Sequence, residues 1–457
     1  MSSKDFDLAI IGGGITGLSC GFFALANKEF KSVCLIEPTE LGGKIDHVTF
    51  ETFRLDTAAD SIVFSREPVK VLFNELELLP IYPLNPTVKI YTDNKLYDLP
   101  ENSFFGIPAN LKELKASGIL SGAGYFMLKR DRFKSRYKGQ DISLYDLLEP
   151  RIGKEALEKL VEPFVAGINA GIAKELSVIA VAPEIFTFIS NYGSLTKAVR
   201  KYLKKRKTPS GSLVSANGGI NIFLETLINA LFKNPTFKHV KTLATEILFK
   251  GSSFEILTPL GTINANKLAL AIPAKPLSDI KHNLSDELNS WLTSLDHATV
   301  ATLTIVVDKK EISKTDLARG YLIPRGEGLL TTAVTYLSEK WNYYTNDDWH
   351  LIKISAGYHG DSRVNHLTET EIKNTLIDEF SQMIQKDIKP VKVFYKKYPD
   401  AFCQYKVGHL LQANKIINNC ENLTHNKLKL IGNYFRGVGI SSRIVSAYEA
   451  ALQLAKE

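Results

Sequence analysis

The sequence predicts an α/β protein built as a discontinuous, Rossmann-like nucleotide domain interrupted by a second, α+β domain. Three observations carry this. A strand–glycine–helix–strand–acid run occupies residues 8–37. A second apolar strand, feeding glycines and an amphipathic helix, closes the chain. With 457 residues, the sequence also exceeds what one hydrophobic core ordinarily serves. A nucleotide fold that starts near residue 5 and takes its last helix from the C-terminus must be left and re-entered by the chain.

The opening run is the most specific. Leu8-Ala9-Ile10-Ile11 reads as a short buried strand, Gly12-Gly13-Gly14-Ile15-Thr16-Gly17 opens a helix through Leu25, and Val33-Cys34-Leu35-Ile36 is a second strand ending at Glu37. Gly12, Gly14 and Gly17 satisfy G-x-G-x-x-G, and Glu37 follows the last glycine by about twenty residues. Gly12 permits the tight turn, Gly14 lets backbone approach a pyrophosphate, and Gly17 lets helix and strand pack closely. Ile15 and Thr16 lie at the helix N-terminus, whose amides and dipole favour an anion. Glu37 accepts both ribose hydroxyls and repels a 2′-phosphate. A bare glycine turn would not require strand, helix and acid in this order, so the run predicts a dinucleotide.

The remaining elements follow in order. Residues 65–79 carry a helical apolar pattern. Val88–Tyr91 and Lys95–Pro100 form a hairpin about Asp93-Asn94. Residues 107–200 read as helices, with Asp141 capping Ser143–Leu148, Gly153 as a stop, and Lys154–Val161 amphipathic before Pro163. Gly218-Gly219 precede a helix. Strands are expected over Ile247–Phe249, Phe254–Leu257, Lys267–Ile272, Thr299–Val307, Leu329–Leu337 and Leu351–Ala356, and a helix over Glu369–Ile384. Leu428–Gly432 and Ser441–Lys456 are the last strand and helix. The expected division is 1–80, 208–295 and 406–457 for the nucleotide domain, with 81–207 a helical region and 296–405 a sheet and helix of the second domain.

Composition is that of an ordinary globular protein. Lys and Arg number 56 against 49 Asp and Glu, a net charge of +7. The excess clusters at Lys129–Lys138 and Lys197–Lys207. A solvated face is the plain reading; anionic lipid or an acidic substrate are the functional ones, and no nucleic-acid motif accompanies the charge. Apolar residues at Phe104–Pro108 and Ile119–Leu128 beside the first run offer a surface-lying membrane patch as the alternative to a core helix. The four cysteines, Cys20, Cys34, Cys403 and Cys420, have no paired or zinc spacing and fit buried thiols in a reducing cytoplasm. Neither a signal peptide nor an apolar run of transmembrane length is visible. The nine histidines form no metal or triad motif, and His409 reads as structural.

After Glu37, the segment Pro38-Thr39-Glu40-Leu41-Gly42-Gly43-Lys44 resembles the glycine-pair-and-base extension of the flavin monoamine oxidase, carotenoid desaturase and protoporphyrinogen oxidase superfamily, which implies FAD rather than NAD. IIGGGITGLS, LIEPTELGGKI, LPENSFFGIP, SLYDLLEPRIGKEALEKLVEPFVAGINAG, ALAIPA, YLIPRGEG, QYKVGH and LIGNYFRGVGISSRIVSAYEAA resemble, end to end, the oxygen-dependent protoporphyrinogen/coproporphyrinogen oxidase family. The resemblance implies an FAD domain of the GR2/amine oxidase type, a substrate domain, and a cofactor extended between them. It places Gly12, Gly14, Ile15, Thr16, Gly17, Glu37, Gly42, Gly43, Lys44 and Ala244 at the ADP half of FAD. Gly432, Asn433, Gly437, Val438, Gly439 and Ile440 fall at the flavin half.

The implied reaction is oxidation of a porphyrinogen to a porphyrin in haem biosynthesis, six hydrogens lost in three two-electron rounds, with dioxygen as acceptor and hydrogen peroxide released. The cofactor performs the hydride abstraction, so no catalytic side chain is expected. An apolar slot is sought among Val165, Ile168, Asn169, Leu322, Tyr336 and Phe435, and cations for propionates at Arg66, Arg325 and, more weakly, Arg130. Expected partners are the porphyrinogen and dioxygen, with no nucleic acid. Peripheral contact with the inner face of the cell membrane, other haem-pathway enzymes, and a monomeric or homodimeric state are the further expectations. A related amine oxidase or carotenoid-type desaturase, and a non-catalytic flavin carrier, are the competing readings. The sequence departs from the family at Asp56-Thr57-Ala58-Ala59 (acid, then Gly-Pro), Asn169 (aromatic), Cys403 (proline) and Ala447 (glycine).

Overall fold

The structure, a computed structural model, describes residues 4–85, 87–205, 213–312 and 317–456. Arg206 and Lys207, the end of the second basic run, lie outside them. The chain forms two compact units, Met1–Ile81 with Val214–Asp296 and Leu410–Glu457, and Tyr82–Leu213 with His297–His409.

In the first unit, strands β1 (Lys4–Ile11), β2 (Val33–Ile36), β3 (Phe237–Val240), β4 (Glu246–Phe249), β5 (Phe254–Thr258), β6 (Gly261–Leu270) and β7 (Leu428–Leu430) make one sheet with the short strand Lys281–His282. Strands β3, β2, β1 and β6 run parallel in that order, and β7 lies parallel to the last residues of β6. The first half of β6 pairs antiparallel with β5, and β5 with β4. Leu8, Ala9, Ile10, Val33, Cys34 and Leu35 are wholly buried, as continuous apolar strands covered on both faces require. Helices α1 (Ile15–Ala26), α2 (Ile220–Phe232) and α3 (Ile440–Lys456) share one core with these strands. Ala447, where glycine is common in the resembled family, is wholly buried there.

The second unit has a seven-stranded sheet in the order Lys392–Cys403, His297–Asp308, Trp349–Ala356, Thr331–Tyr336, Gly320–Leu322, Val88–Thr92, Lys95–Asp98. Its helix Glu369–Ile384 starts at a capping box of Thr368 and Glu371. Asp93 and Asn94 both take positive φ, 52° and 58°, the two-residue turn that matches strand twist. A separate helical core gathers Leu144, Leu157, Leu160, Val161, Ile185 and Leu195.

Several expectations need correction. The strand Lys392–Cys403 lies outside the expected strands and stands at the edge of the sheet, where Pro399 is tolerated. The proline falls at a register shift opposite Ala298–Val300, with Asp400 at φ 47°. Strand β3 and the helix His409–Leu423, whose Ala413, Ile416 and Cys420 are buried at helical spacing, also lie outside the expected elements. Asp141 is not the cap of the helix Leu144–Ile152: Ser143 is, accepting from the Asp146 amide, while Asp141 accepts from Ser177 Oγ at 2.7 Å and the Gly408 amide at 2.9 Å. Nor does Pro163 end a helix. The helical run continues unbroken from Lys154 through a π-turn over Leu157–Val161 into Glu162–Asn169, and the widened turn accommodates a proline that has no N–H to donate. Phe104–Pro108 is a tight hairpin through Phe105 and Gly106, and the Phe104 ring packs on Phe188 and Tyr202.

Candidate functional site

The loops that carry the expected cofactor residues leave one edge of the first unit's sheet. Gly12 follows β1, Glu37 follows β2, Ala244 lies beyond β3 and Gly432 follows β7, all at carboxyl ends of parallel strands. Ligands of open α/β sheets bind at such an edge.

The first loop is shaped by contacts that exclude side chains. Gly12 takes φ 112°, and a Cβ on Gly17 would stand 1.9 Å from the Gly12 carbonyl oxygen. Gly14, the N-cap of α1, differs: a Cβ there meets nothing within 4 Å. Backbone is thus exposed at a helix N-terminus, where amides and dipole favour phosphate. The second glycine pair completes this cradle. The Gly42 amide donates to the Gly13 carbonyl at 2.9 Å, Gly42 bridges Gly14, and a Cβ on Gly43 would come within 3.2 Å of Gly14 Cα. Lys44 is exposed beside it.

Glu37 Oε2 accepts from the Gly13 amide at 2.8 Å, and Oε1 accepts from the Thr39 amide and hydroxyl at 3.0 and 2.6 Å. Oε1 is therefore filled, and one acceptor position remains on Oε2. The expectation that Glu37 takes both ribose hydroxyls is narrowed: the carboxylate has room for one further hydroxyl donor, and a second would have to displace Thr39 Oγ1. The Glu37 amide donates to Val240 at 3.2 Å, which seats Glu37 beside the β3 end from which buried Ala244 follows.

Gly432 and half-buried Asn433 stand at the end of β7. Gly437 takes φ 63°, with Ser442 where its side chain would lie; Val438 follows, and Gly439, just before Ile440 and the start of α3, again has nothing within 4 Å. Buried Arg443 donates to the Ile431 and Gly432 carbonyls at 3.1 and 2.7 Å, fastening the strand end to the helix. Asp56 is wholly buried, accepting from the Ile220 and Asn221 amides at 2.9 and 3.1 Å and from Asn221 Nδ2 at 2.9 Å. Gly219 must be glycine because a Cβ would lie 2.7 Å from Asp56 Oδ2. Sequence reasoning missed the roles of Thr39, Asp56 and Arg443; an acid followed at long range by Gly-Gly before a helix was the one available signal.

The expected substrate residues are divided between the two units. Arg66 (at the N-cap of the helix Glu67–Glu75) and Phe435 belong to the first unit. Phe435 is no open wall: it is buried and stacked on Trp291 at 5.1 Å. In the second unit, the helix Glu162–Asn169, which carries Val165, Ile168 and Asn169, packs on Gly320–Leu322 with Gly167 against Leu322. Val165 is wholly buried in the helical core, whereas Ile168 is 47% exposed. Asn169 is buried, its backbone carbonyl accepting from Gln404 Nε2 at 3.3 Å.

Tyr336 is corrected outright. It pairs in register beside Val334 and Tyr321 on the face covered by Phe380, its hydroxyl 2.9 Å from that of Tyr321. Leu322 faces the other side, because strand side chains alternate. Arg130 is exposed in the basic run. His409 is buried against Tyr405, as a structural histidine. Among the described residues no group of three or more His, Cys, Asp or Glu is placed to hold a metal ion.

An exposed glycine at two helix N-termini, a second glycine pair seated on the first, and an acid at the end of the second strand fit an extended dinucleotide; these features define a dinucleotide-binding protein of the Rossmann class. The family model for flavin containing amine oxidoreductases matches residues 15–457, and the chain belongs to that family. It is an FAD-dependent oxidoreductase. Coproporphyrinogen III oxidase of Staphylococcus aureus (strain NCTC 8325 / PS 47) is 26% identical over 469 residues, covering 98% of this chain and 99% of that one. A chloroplastic protoporphyrinogen oxidase of Oryza sativa subsp. japonica is 23% identical, covering 98% and 88%. A crystal structure from Exiguobacterium sp. 255-15, provisionally described as a protoporphyrinogen oxidase, shares the fold with a TM-score of 0.87 at 23% identity over 100% of this chain and 99% of that one.

Proposed function

We propose that the protein oxidises a porphyrinogen to its porphyrin in haem biosynthesis, with dioxygen as final acceptor and hydrogen peroxide as by-product. The observation that carries this reading is the end-to-end match: the similarity to coproporphyrinogen III oxidase covers 98% of the chain rather than the cofactor segments alone. Bound FAD supplies a two-electron acceptor. The chain's own residues hold and orient it: Gly12–Gly17 and Gly42–Lys44 at the pyrophosphate, Glu37 at the ribose, the Ala244 loop at the adenine, and Gly432–Ile440 at the flavin end. The N-terminus of α3 then favours the negative charge of the reduced state. No protein base is needed, since each round removes hydrogens from an electron-rich macrocycle.

The relatives' names divide between coproporphyrinogen III and protoporphyrinogen, which differ by two propionates against two vinyls. The test is to purify the yellow protein, add each porphyrinogen in air, and follow porphyrin fluorescence with peroxide. Acceleration of at least one oxidation is expected; a yellow protein that accelerates neither overturns the reading.

Among the described residues no helix is long and apolar enough to cross a membrane. Peripheral attachment from the cytoplasmic side belongs to the same proposal. It rests on Phe126 and Phe133, 62% and 75% exposed, beside Lys129, Arg130 and Arg132. Salt-reversible pelleting with anionic vesicles is expected, and no pelleting at low salt rejects it.

A further inference from the structure

Arg325 follows the strand Gly320–Leu322 and opens the short turn Arg325–Glu327, closed by Gly328 at φ 72°. The turn is held at both ends. Thr92 Oγ1 donates to Glu327 Oε1 at 2.6 Å, and Arg363 donates to the Gly328 and Leu329 carbonyls at 3.0 and 3.1 Å. Arg363 is in turn paired with Asp361 at 2.7 Å. On this fixed base the Arg325 guanidinium lies over the Tyr358 ring, 4.0 Å from its centroid.

The head group is anomalous. Its Nε, Nη1 and Nη2 are all buried, and none has a hydrogen-bond partner. Arg151 of the same unit shows the ordinary arrangement, donating to the Ser135 and Gly193 carbonyls. A buried cation with unused donors is costly unless a partner arrives. The carboxylates that act on Arg325 from within the chain are Glu162 and Asp361. Asp361 is committed to Arg363, and Glu162 accepts from the Ala173 amide. Burial works against both members of the remaining pair: it pushes the Arg325 guanidinium below its ordinary value and the Glu162 carboxyl above its own. The helix that carries Glu162 packs on the strand ending at Leu322, three residues before the cation, and leaves Ile168 47% exposed as apolar surface. A planar fork of donors next to an apolar wall matches an apolar ligand that ends in a carboxylate.

We propose that Arg325 is the receptor for a ligand carboxylate, with Tyr358 as its platform and Glu162 as the internal anion that competes with the ligand. This rests on the porphyrinogen reading, under which the carboxylate is a substrate propionate.

The test uses the flavin-loaded enzyme and the variants Arg325→Met, Arg325→Lys and Glu162→Gln. In Arg325→Met, the Kd for coproporphyrin III by tryptophan quenching and the KM for the porphyrinogen should each rise about tenfold or more, with kcat within roughly twofold. Arg325→Lys should lose affinity to a smaller degree, since it keeps charge without the fork, and Glu162→Gln should bind more tightly than the parent. The double variant Arg325→Met/Glu162→Gln, which removes both buried charges, should melt no lower than the parent without ligand, which loss of a structural arginine would not produce. Unchanged affinity in Arg325→Met, while the parent turns over, overturns the proposal and leaves the enzymatic reading standing. Should the parent oxidise no porphyrinogen, 3-phenylpropionate replaces the porphyrin as probe. A rise in melting temperature with it in the parent and not in Arg325→Met supports a carboxylate receptor, and no rise in the parent refutes it.

Discussion

The rings of Phe23 and Tyr448 meet edge to face, centroids 5.0 Å apart at 79°. Phe23 stands nine residues after Gly14 and Tyr448 nine after Gly439, both helix-start glycines with open space at their Cβ positions. This contact therefore sets the first and last helices of the chain level with one another. Both N-termini open at the same sheet edge, one suited to a pyrophosphate and the other to the charge of a reduced flavin.

Gly14 and Gly17 should separate folding from cofactor binding. Gly14→Ala adds a methyl to open space at φ −77°, an ordinary value for alanine. The flavin-free protein should melt within about 1 °C of its parent, surface substitutions being nearly neutral, yet purify colourless. Gly17→Ala, with 1.9 Å to the Gly12 oxygen, should instead fail to fold stably. Full flavin content in Gly14→Ala would show that no phosphate lies against that residue.

Asp56 is expected to stabilise rather than catalyse. Asp56→Ala leaves the Ile220 and Asn221 amides buried and unsatisfied, a cost of about 2–4 kcal/mol in urea unfolding. Asp56→Asn should recover part of it. Equal stability of the alanine variant and the parent would remove this role.

Tyr336→Phe removes the hydroxyl bonded to Tyr321 and should cost about 1–2 kcal/mol. Steady-state kinetics with a porphyrinogen should not change, because the ring faces the sheet core. A raised KM would place Tyr336 at the substrate instead.

His350 makes stability depend on pH. Burial pushes its imidazole from 6.5 down to about 4, with the Lys309 charge acting in the same direction and Asp308 opposing. Glu339 Oε1, 3.7 Å from Nδ1, is too distant for a hydrogen bond. The folded state thus holds fewer protons than the unfolded state between those values. The contribution is complete above pH 6.5 and is lost as pH falls toward 4, by at most about 3 kcal/mol. Urea midpoints across that window should fall in the parent and fall less in His350→Gln; parallel curves would contradict the assignment.

Much of the cofactor edge was legible because its determinants are local. Gly12, Gly14, Gly17 and Glu37 lie on one strand–helix–strand unit whose spacing is set by helix pitch and turn sterics, and Gly437–Gly439 repeat that logic before the last helix. The substrate candidates were less legible because strand parity and packing partners are non-local. Tyr336 and Leu322 lie on neighbouring strands yet face opposite sides, and Phe435 is claimed by Trp291, a residue distant in sequence.

The sequence by itself determined the nucleotide edge, the return of the chain to the first domain, and the family resemblance, since short-range geometry and motif order suffice for these. Only the tertiary structure decided that Asp56 caps a helix 164 residues away, that Thr39 occupies half of Glu37, and that Arg325 alone among the substrate candidates has buried, unused donors. Burial and hydrogen-bond satisfaction are properties of the packed chain, and no spacing along the sequence encodes them.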